Sequence, residues 1–178
     1  PSRPKTPPEV AKAIKDSLNA LDTKTVAEVK ALEKAMEEVE KNFVTMRCML
    51  SGDGEVEPNV EQVSQLALEI SKEDVISLVV HKLPILGWEL GVLSLISVFA
   101  SSYDNKEIAL NCGNMLRECI KFPSLAQYIL NSASFVLFFK FVELPNFDVA
   151  SDAFSTFKDI LTKHASLVAE YLTGHYDE

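Results

Sequence analysis

The second half of the chain contains an internal repeat that limits the possible folds more than any other feature. A shift of 41 residues places EIALNCGNMLRECI (107–120) on DVASDAFSTFKDIL (148–161), which pairs Arg117 with Lys158. A spacing of roughly 40–47 residues, with two or three helices in each unit, is typical of HEAT and armadillo arrays. We therefore expect a right-handed stack of helix triplets in which each unit contacts mainly its neighbours.

The apolar pattern predicts helices along the whole chain and no strands. Apolar residues recur at three- and four-residue spacing from Val10 to Leu21, from Val26 to Leu50, from Val60 to Ile70 and from Val75 to Leu83. We expect Pro84 to end the fourth of these helices, because proline inside a helix removes a hydrogen bond and clashes with the preceding turn. The fold class is therefore all-α, an armadillo/HEAT-like helical repeat solenoid, or α-α superhelix.

Helix ends are marked by capping residues and by glycine. Glycines in the stretch SGDGE are expected to end the second helix, and 90–100 is predicted to form a short fifth helix. The predicted N-terminal caps are Thr6 with Glu9, Asn59 with Gln62, Ser71 with Asp74, Asp104 with Glu107, and Asn146.

Length and composition predict one acidic domain. The 178 residues suit a flexible N-terminal arm (1–5) followed by a single helical repeat domain (6–178). A net charge of −9 has the wrong sign for a surface that binds nucleic acid or anionic membranes. The uncharged run 90–103 is shorter than the roughly 20 residues that a membrane-spanning helix needs. Three cysteines without a disulfide framework indicate reduced thiols and a cytoplasmic location.

The repeat also predicts a binding face. Equivalent helices of successive units line the concave wall of such stacks and form a groove that needs no catalytic centre. Phe147 is a large aromatic residue at an otherwise polar helix start. On a helical wheel, the side opposite the apolar stripe carries Leu110, Asn114 and Arg117 in the first repeated helix, and Ser151, Ser155 and Lys158 in the second.

No constellation of residues predicts catalysis or a cofactor. The chain has neither GxSxG, GxxxxGK[ST] nor GxGxxG, so we expect no enzyme activity. Cys112 and Cys119 are about 10 Å apart along one helix, too far for a disulfide, and are predicted to pack in the core. His81, His164 and His175 stand on different segments without a partner motif, and the acidic stretch 51–61 lacks the ligand order of a calcium loop. We expect no metal site.

The stretches EIALNCGNMLRECI, FVELPNFDVASDAFSTFKDILTKH and HYDE resemble the mouse-protein-25 family, also called calcium-binding protein 39, with residue choices similar to its plant branch. The resemblance implies an armadillo-like scaffold whose concave surface binds and activates kinases and pseudokinases of the sterile-twenty class, in signalling for polarity, morphogenesis and cell division. Despite the family name we expect no calcium binding here, because the residues 51–61 lack the ligand order of a calcium loop. Phe147 in PNFDVASDAF corresponds to an aromatic residue that the family uses against the pseudokinase.

Two departures from the family pattern leave an alternative open. The family carries about two more helices between Trp88 and Tyr103, so one unit around 89–103 is expected to be incomplete. The family also continues beyond Glu178 with further units, including the pocket for a partner's C-terminal tail. The alternative to a kinase scaffold is a truncated splice or gene-model product that is a helical interaction module without kinase binding.

Two residue assignments also have alternatives. Arg117 and Lys158 could bind an acidic loop of a partner, or Arg117 with Glu118 could join an inter-helix salt bridge that only sets the stacking of the helices. Phe147 could contact a partner, or it could pack over the first turn of its own helix as a hydrophobic staple. The aromatic residues Phe135, Phe138, Phe139 and Phe141 are expected in the core, where rings at helical spacing pack between repeats.

Overall fold

The computed structural model describes the backbone of residues 3–23, 29–86 and 89–176, and their side chains except at 23, 83–86, 89–92 and 94. Within these ranges the protein consists of α-helices, one 3-10 helix and connecting turns, without a strand, which confirms the all-α prediction. The predictions for Pro1, Ser2, Val26 and Trp88 lie outside the described residues. The α-helices are α1 Pro7–Ala20, α2 Val29–Ser51, α3 Val60–Lys72, α4 Val75–Leu86, α5 Glu89–Ser101, α6 Ala109–Ile120, α7 Pro123–Asn131, α8 Ala133–Phe141, α9 Phe147–Thr162 and α10 Ala165–Gly174.

The chain divides into two compact units, 1–92 and 93–178, with α5 spanning the division. In the first unit α1 lies at the centre and packs against α2, α3 and α4. Its apolar face, at the predicted three- and four-residue spacing, is buried at Val10, Ile14 and Leu18. Burial of that face explains why a 14-residue helix is stable, since isolated helices of this length are marginal in water.

The predicted caps in the first unit are confirmed at α1 and α3. The Thr6 backbone N–H donates to Glu9 Oε2 at 2.8 Å at the start of α1, and the Gln62 N–H donates to Asn59 Oδ1 at 3.0 Å at the start of α3. Gly52 follows the last residue of α2 with φ +77°, a left-handed conformation that glycine adopts without strain. These contacts fix where three of the helices begin or end.

Two predicted boundaries in the chain were wrong. Pro84 does not end α4, which continues to Leu86. The predicted capping box of Asp104 and Glu107 does not mark the start of a helix, because α6 begins later, at Ala109. Instead Asn105 Oδ1 accepts a hydrogen bond from the Glu107 N–H at 3.1 Å, so this asparagine holds the turn that precedes α6.

In the second unit, the two helices of the sequence repeat, α6 and α9, pack directly on each other. α7 and α8 connect them, and α10 packs against α7 and α9. Tyr103, Phe138 and Phe141 form the aromatic centre of this unit, with ring centroids 5.3–5.6 Å apart. Phe139 was predicted to lie in the same core but is 55% exposed, although its ring makes T-shaped contacts with Phe135 and Phe157.

No helix among the described residues is long and apolar enough to cross a membrane. The longest of these helices, α2, has 23 residues, but its sequence carries eight charged side chains from Lys30 to Arg47. The apolar helix α5 has only 13 residues. Neither combines the length and the hydropathy that a span requires.

Candidate partner-binding face

The side-by-side packing of α6 and α9 brings the seven predicted site residues onto two neighbouring helices. Every one of them is exposed except Arg117, which is half-buried. Together with Phe154, the six exposed residues define what we call the α6–α9 face. Its members are Leu110 and Asn114 on α6, and Phe147, Ser151, Phe154, Ser155 and Lys158 on α9.

Phe147 is the first residue of α9 and is 81% exposed. The helix begins there because the preceding Asn146 accepts a hydrogen bond from the Val149 N–H at 3.1 Å, as its sequence position predicted. A side chain with this exposure does not pack over its own first turn, so the structure does not support the hydrophobic-staple alternative. The ring is instead available to another molecule.

Phe154 is the residue of this face that the sequence analysis missed. Its side chain is apolar, yet the structure leaves it 59% exposed. The spacing of Phe147, Ser151, Phe154 and Lys158 contains the signal, because steps of four, three and four residues keep side chains on one side of a helix. The buried side of α9 is formed by Val149, Ala153, Thr156 and Ile160.

Arg117, the half-buried member of the predicted site, links α6 to α9 through its guanidinium group. Nη2 donates to Asp152 Oδ1 at 2.7 Å and to Asn114 Oδ1 at 2.7 Å. Nη1 donates to Thr156 Oγ1 at 2.7 Å and to the Asp152 carbonyl oxygen at 3.4 Å. The planar fork of arginine can satisfy several acceptors at fixed angles, which lysine cannot do. Arg117 thereby binds one full turn of α9.

Tyr103 completes this group of residues from the buried side. Its hydroxyl donates to Asp152 Oδ2 and lies 3.3 Å from Thr156 Oγ1. Burial, followed by the hydrogen bond to Asp152, raises the pKa of Tyr103 well above its ordinary value, so the phenol stays protonated. We call Tyr103, Arg117, Asp152 and Thr156 the Arg117 cluster.

Gly113 makes room for the Arg117 cluster on α6. A Cβ atom at this position would overlap Asp152 Oδ2 and lie 2.8 Å from the Tyr103 hydroxyl. Glycine lowers helix stability by about 1 kcal/mol relative to alanine, so its presence inside α6 has a packing reason. The close approach of α9 to α6 depends on it.

The two basic residues that the repeat pairs therefore have different environments. Arg117 forms an inter-helix ion pair with Asp152. Glu118 takes no part in that pair, and its carboxylate accepts a hydrogen bond from Lys121 at 2.7 Å. Lys158, its repeat equivalent, is exposed on the α6–α9 face. The structure thus favours the stacking role for Arg117, while a partner contact by Lys158 stays a prediction.

Among the described residues no group of three His, Cys, Asp or Glu side chains is placed to hold a metal ion. In the acidic turn after α2, Asp53 Oδ1 accepts hydrogen bonds from the Glu55 and Val56 N–H groups at 3.2 and 3.0 Å. These backbone hydrogen bonds lower the pKa of Asp53 and hold the turn. Cys112 and Cys119 are buried, as predicted, and burial raises the pKa of each thiol to about 12.

The chain is similar to known proteins along its whole length. The model of the Mo25-like family matches residues 1–91 and 92–178. A human calcium-binding protein 39-like protein is 38% identical over 97% of the chain and 58% of its own length. A Mo25-like protein of Schizosaccharomyces pombe is 34% identical over 99% of the chain and 60% of its own length, and a putative MO25-like protein of Arabidopsis thaliana is 31% identical over the same shares.

The chain spans about three fifths of the length of these relatives. The alignment with the human protein extends over 200 positions, more than the 178 residues present, so some positions of that relative have no counterpart here. The two matches to the family model meet between residues 91 and 92, inside the stretch where the sequence analysis expects an incomplete unit. From its match to the family model over both halves, the chain belongs to the Mo25-like family.

Proposed function

We propose that this chain is a non-catalytic scaffold that binds a protein kinase or pseudokinase of the sterile-twenty class and activates it allosterically. The proposed contact surface is the α6–α9 face, and the proposed setting is cytoplasmic signalling in polarity, morphogenesis and cell division. Membership of the Mo25-like family supports the scaffold role, and the resemblance described above supplies the partner class.

One observation carries the choice of surface, namely that two phenylalanines are exposed on the same side of one helix. Phe147 and Phe154 are two turns apart on α9, and Leu110 on α6 is 46% exposed. Aromatic residues are enriched among the few side chains that supply most of the binding energy in protein interfaces. Exposing two of them together costs solubility unless a partner covers them.

The polar residues of the face suit a partner loop with a complementary charge. Lys158 lies one turn after Phe154, and Ser151 and Ser155 flank the same line of side chains. A carboxylate of the partner could pair with Lys158 while apolar side chains cover the two rings. A rim charge of this kind contributes mainly to orientation and association rate.

A binding titration tests the proposal. The purified chain is titrated with a kinase domain of the sterile-twenty class by isothermal calorimetry, beside the variants Phe147→Ala and Phe154→Ala. We expect saturable binding that each variant weakens by roughly tenfold or more, the size of a contact that carries binding energy. Phe139→Ala is the matched control, because Phe139 is also an exposed phenylalanine but lies on α8.

Three outcomes separate the possibilities. Weaker binding by the α9 variants, with the Phe139→Ala variant unchanged, supports the face as drawn. Equal weakening by all three variants removes the α6–α9 face from the binding site. No binding by a chain that melts cooperatively favours the alternative, a helical interaction module without kinase binding.

A further inference from the structure

The Arg117 cluster forms a polar connection within an otherwise apolar contact between α6 and α9. Tyr103 and Thr156 are fully buried, and the side chains of Arg117 and Asp152 retain 21% and 15% of their exposure. The other buried side chains of the two helices are mostly apolar, among them Cys112, Met115, Leu116 and Cys119 on α6 and Val149, Ala153 and Ile160 on α9.

Apolar side chains of this kind hold two helices together but tolerate sliding and repacking, because hydrophobic contact has no direction. A hydrogen-bonded ion pair is directional, and Arg117 forms one to Asp152 together with a bond to Thr156, which lies one turn further along α9. A slip of one residue moves a helix by about 1.5 Å along its axis, enough to break these bonds.

The cluster is also connected to the exposed surface. The same Nη2 atom that donates to Asp152 donates to Asn114, which belongs to the α6–α9 face. Asp152 itself lies between Ser151 and the turn that carries Phe154 and Ser155. The relative placement of the α6 and α9 halves of the face therefore depends on the bonds of Arg117.

We propose that Tyr103, Arg117 and Asp152 are positioning residues, which fix one register between α6 and α9 and so align Leu110 and Asn114 with Phe147 and Phe154 for a partner. Only the last step of this role, the alignment of the face for a partner, rests on the proposed function. Buried ionic groups are known to select one packing arrangement at little gain in stability in some proteins, and the geometry here places such a group between the two halves of one surface.

Three changes made together test the proposal by replacing the cluster with apolar groups of similar size, namely Tyr103→Phe, Arg117→Met and Asp152→Leu. The matched control is Lys15→Met with Glu73→Leu, which removes an ion pair in the first unit, 2.6 Å long, between α1 and the residue that follows α3. Each chain is studied by thermal melting and by two-dimensional ¹H–¹⁵N NMR of the free protein. Its affinity for the kinase domain is measured by titration, both as it stands and with Phe147→Ala added.

We expect the apolar variant to remain helical but to show doubled or broadened amide resonances in α6 and α9, which report more than one register. Its affinity for the kinase should fall at least tenfold, and adding Phe147→Ala should then change it less than threefold. The control variant should keep single resonances in α6 and α9 and the affinity of the unsubstituted chain. An unchanged spectrum together with unchanged affinity in the apolar variant would overturn the proposal.

The NMR spectra and the kinase affinity together distinguish a failure of this inference from a failure of the proposed function. If the unsubstituted chain binds no kinase while the apolar variant shows multiple registers, the proposed function fails and the positioning role stands. If the apolar variant does not fold, the single change Arg117→Lys decides by the same spectra, because lysine keeps the charge but cannot hold Asp152, Thr156 and Asn114 at once. Single sharp resonances and full affinity for Arg117→Lys would then refute the positioning role.

Discussion

His164 Nε2 lies 2.7 Å from the carbonyl oxygen of Ile120, so the residue that precedes α10 is tied to the last residue of α6. Since a carbonyl oxygen only accepts, the Nε2–H of the imidazole is the donor. The bond supplies a partner to one of the carbonyl groups that every helix leaves free at its C-terminal end. It connects elements 44 residues apart in the sequence.

Replacing this histidine should therefore destabilise the second unit. We expect His164→Ala to lower the free energy of unfolding by about 1–2 kcal/mol, because a half-buried carbonyl loses its donor. Urea denaturation followed by circular dichroism measures the change. His81→Ala is the control, since His81 is exposed on α4 and its loss should cost less than about 0.5 kcal/mol. Equal effects of the two changes would contradict the role of the His164 bond.

The exposed phenylalanines of α9 should contribute little to folding. We expect Phe147→Ala and Phe154→Ala each to change the free energy of unfolding by no more than about 0.5 kcal/mol, as is usual for surface positions. Phe138→Ala, by contrast, removes a fully buried ring and should cost about 3–5 kcal/mol. Thermal melting distinguishes them. A large loss of stability in Phe154→Ala would mean that its ring belongs to the core after all.

Gly113→Ala should destabilise the chain although alanine is the better helix former. The added methyl group overlaps the Asp152 carboxylate, which Arg117 and Tyr103 hold from both sides. We expect a net loss of about 1–2 kcal/mol, since overpacking of this kind exceeds the helix-propensity gain. Gly174→Ala, where nothing lies within 4 Å of the added atom, serves as the control and should not destabilise the chain. A stabilised Gly113→Ala variant would refute the close approach.

The three cysteines should differ sharply in reactivity. Cys48 is exposed, whereas burial raises the pKa of both Cys112 and Cys119 to about 12 and keeps them as unreactive thiols at neutral pH. We expect a thiol reagent such as Ellman's to titrate one cysteine in the native chain and all three in guanidinium chloride. Rapid reaction of all three without denaturant would show that the α6–α9 contact opens readily.

Tyr103 should make the stability of the chain fall at alkaline pH. Its pKa is raised in the folded state, so above pH 10, the ordinary value for tyrosine, the unfolded chain releases this proton first. The unfolded state then binds fewer protons than the folded state, and the free energy of unfolding decreases as pH rises. We expect the decrease between pH 9 and 11 to be smaller in Tyr103→Phe. Parallel pH profiles of the two proteins would show that the phenol is not held protonated.

The repeat and the helix caps explain how much of this structure the sequence could predict. Apolar periodicity defined the α6 and α9 helices, and asparagines at 59 and 146 marked two N-termini correctly, because both signals act within a few residues. The all-α repeat fold follows from the same local information.

What sequence could not predict depends on contacts between distant elements. The spacing of Phe154 places it on the same side of α9 as Phe147, but spacing alone does not show that this side is left exposed, because exposure is set by how α6 and α8 cover the helix. Likewise Glu118 is adjacent to Arg117, yet the partner that Arg117 actually binds is Asp152, 35 residues away. The residues that flank a charged side chain in the sequence do not show which distant carboxylate it will contact in the folded chain.

The close approach at Gly113 has a consequence for anyone who wishes to build longer arrays from this protein. The repeat places Phe154 at the position equivalent to Gly113, so the two repeated helices, α6 and α9, carry the smallest and one of the largest side chains at equivalent positions. In a synthetic tandem made by copying the block 148–161, the Phe154 ring of each copy would keep the neighbouring helix from approaching as closely as α9 approaches α6. A designer would have to restore glycine at that position in every inner copy to keep a constant pitch.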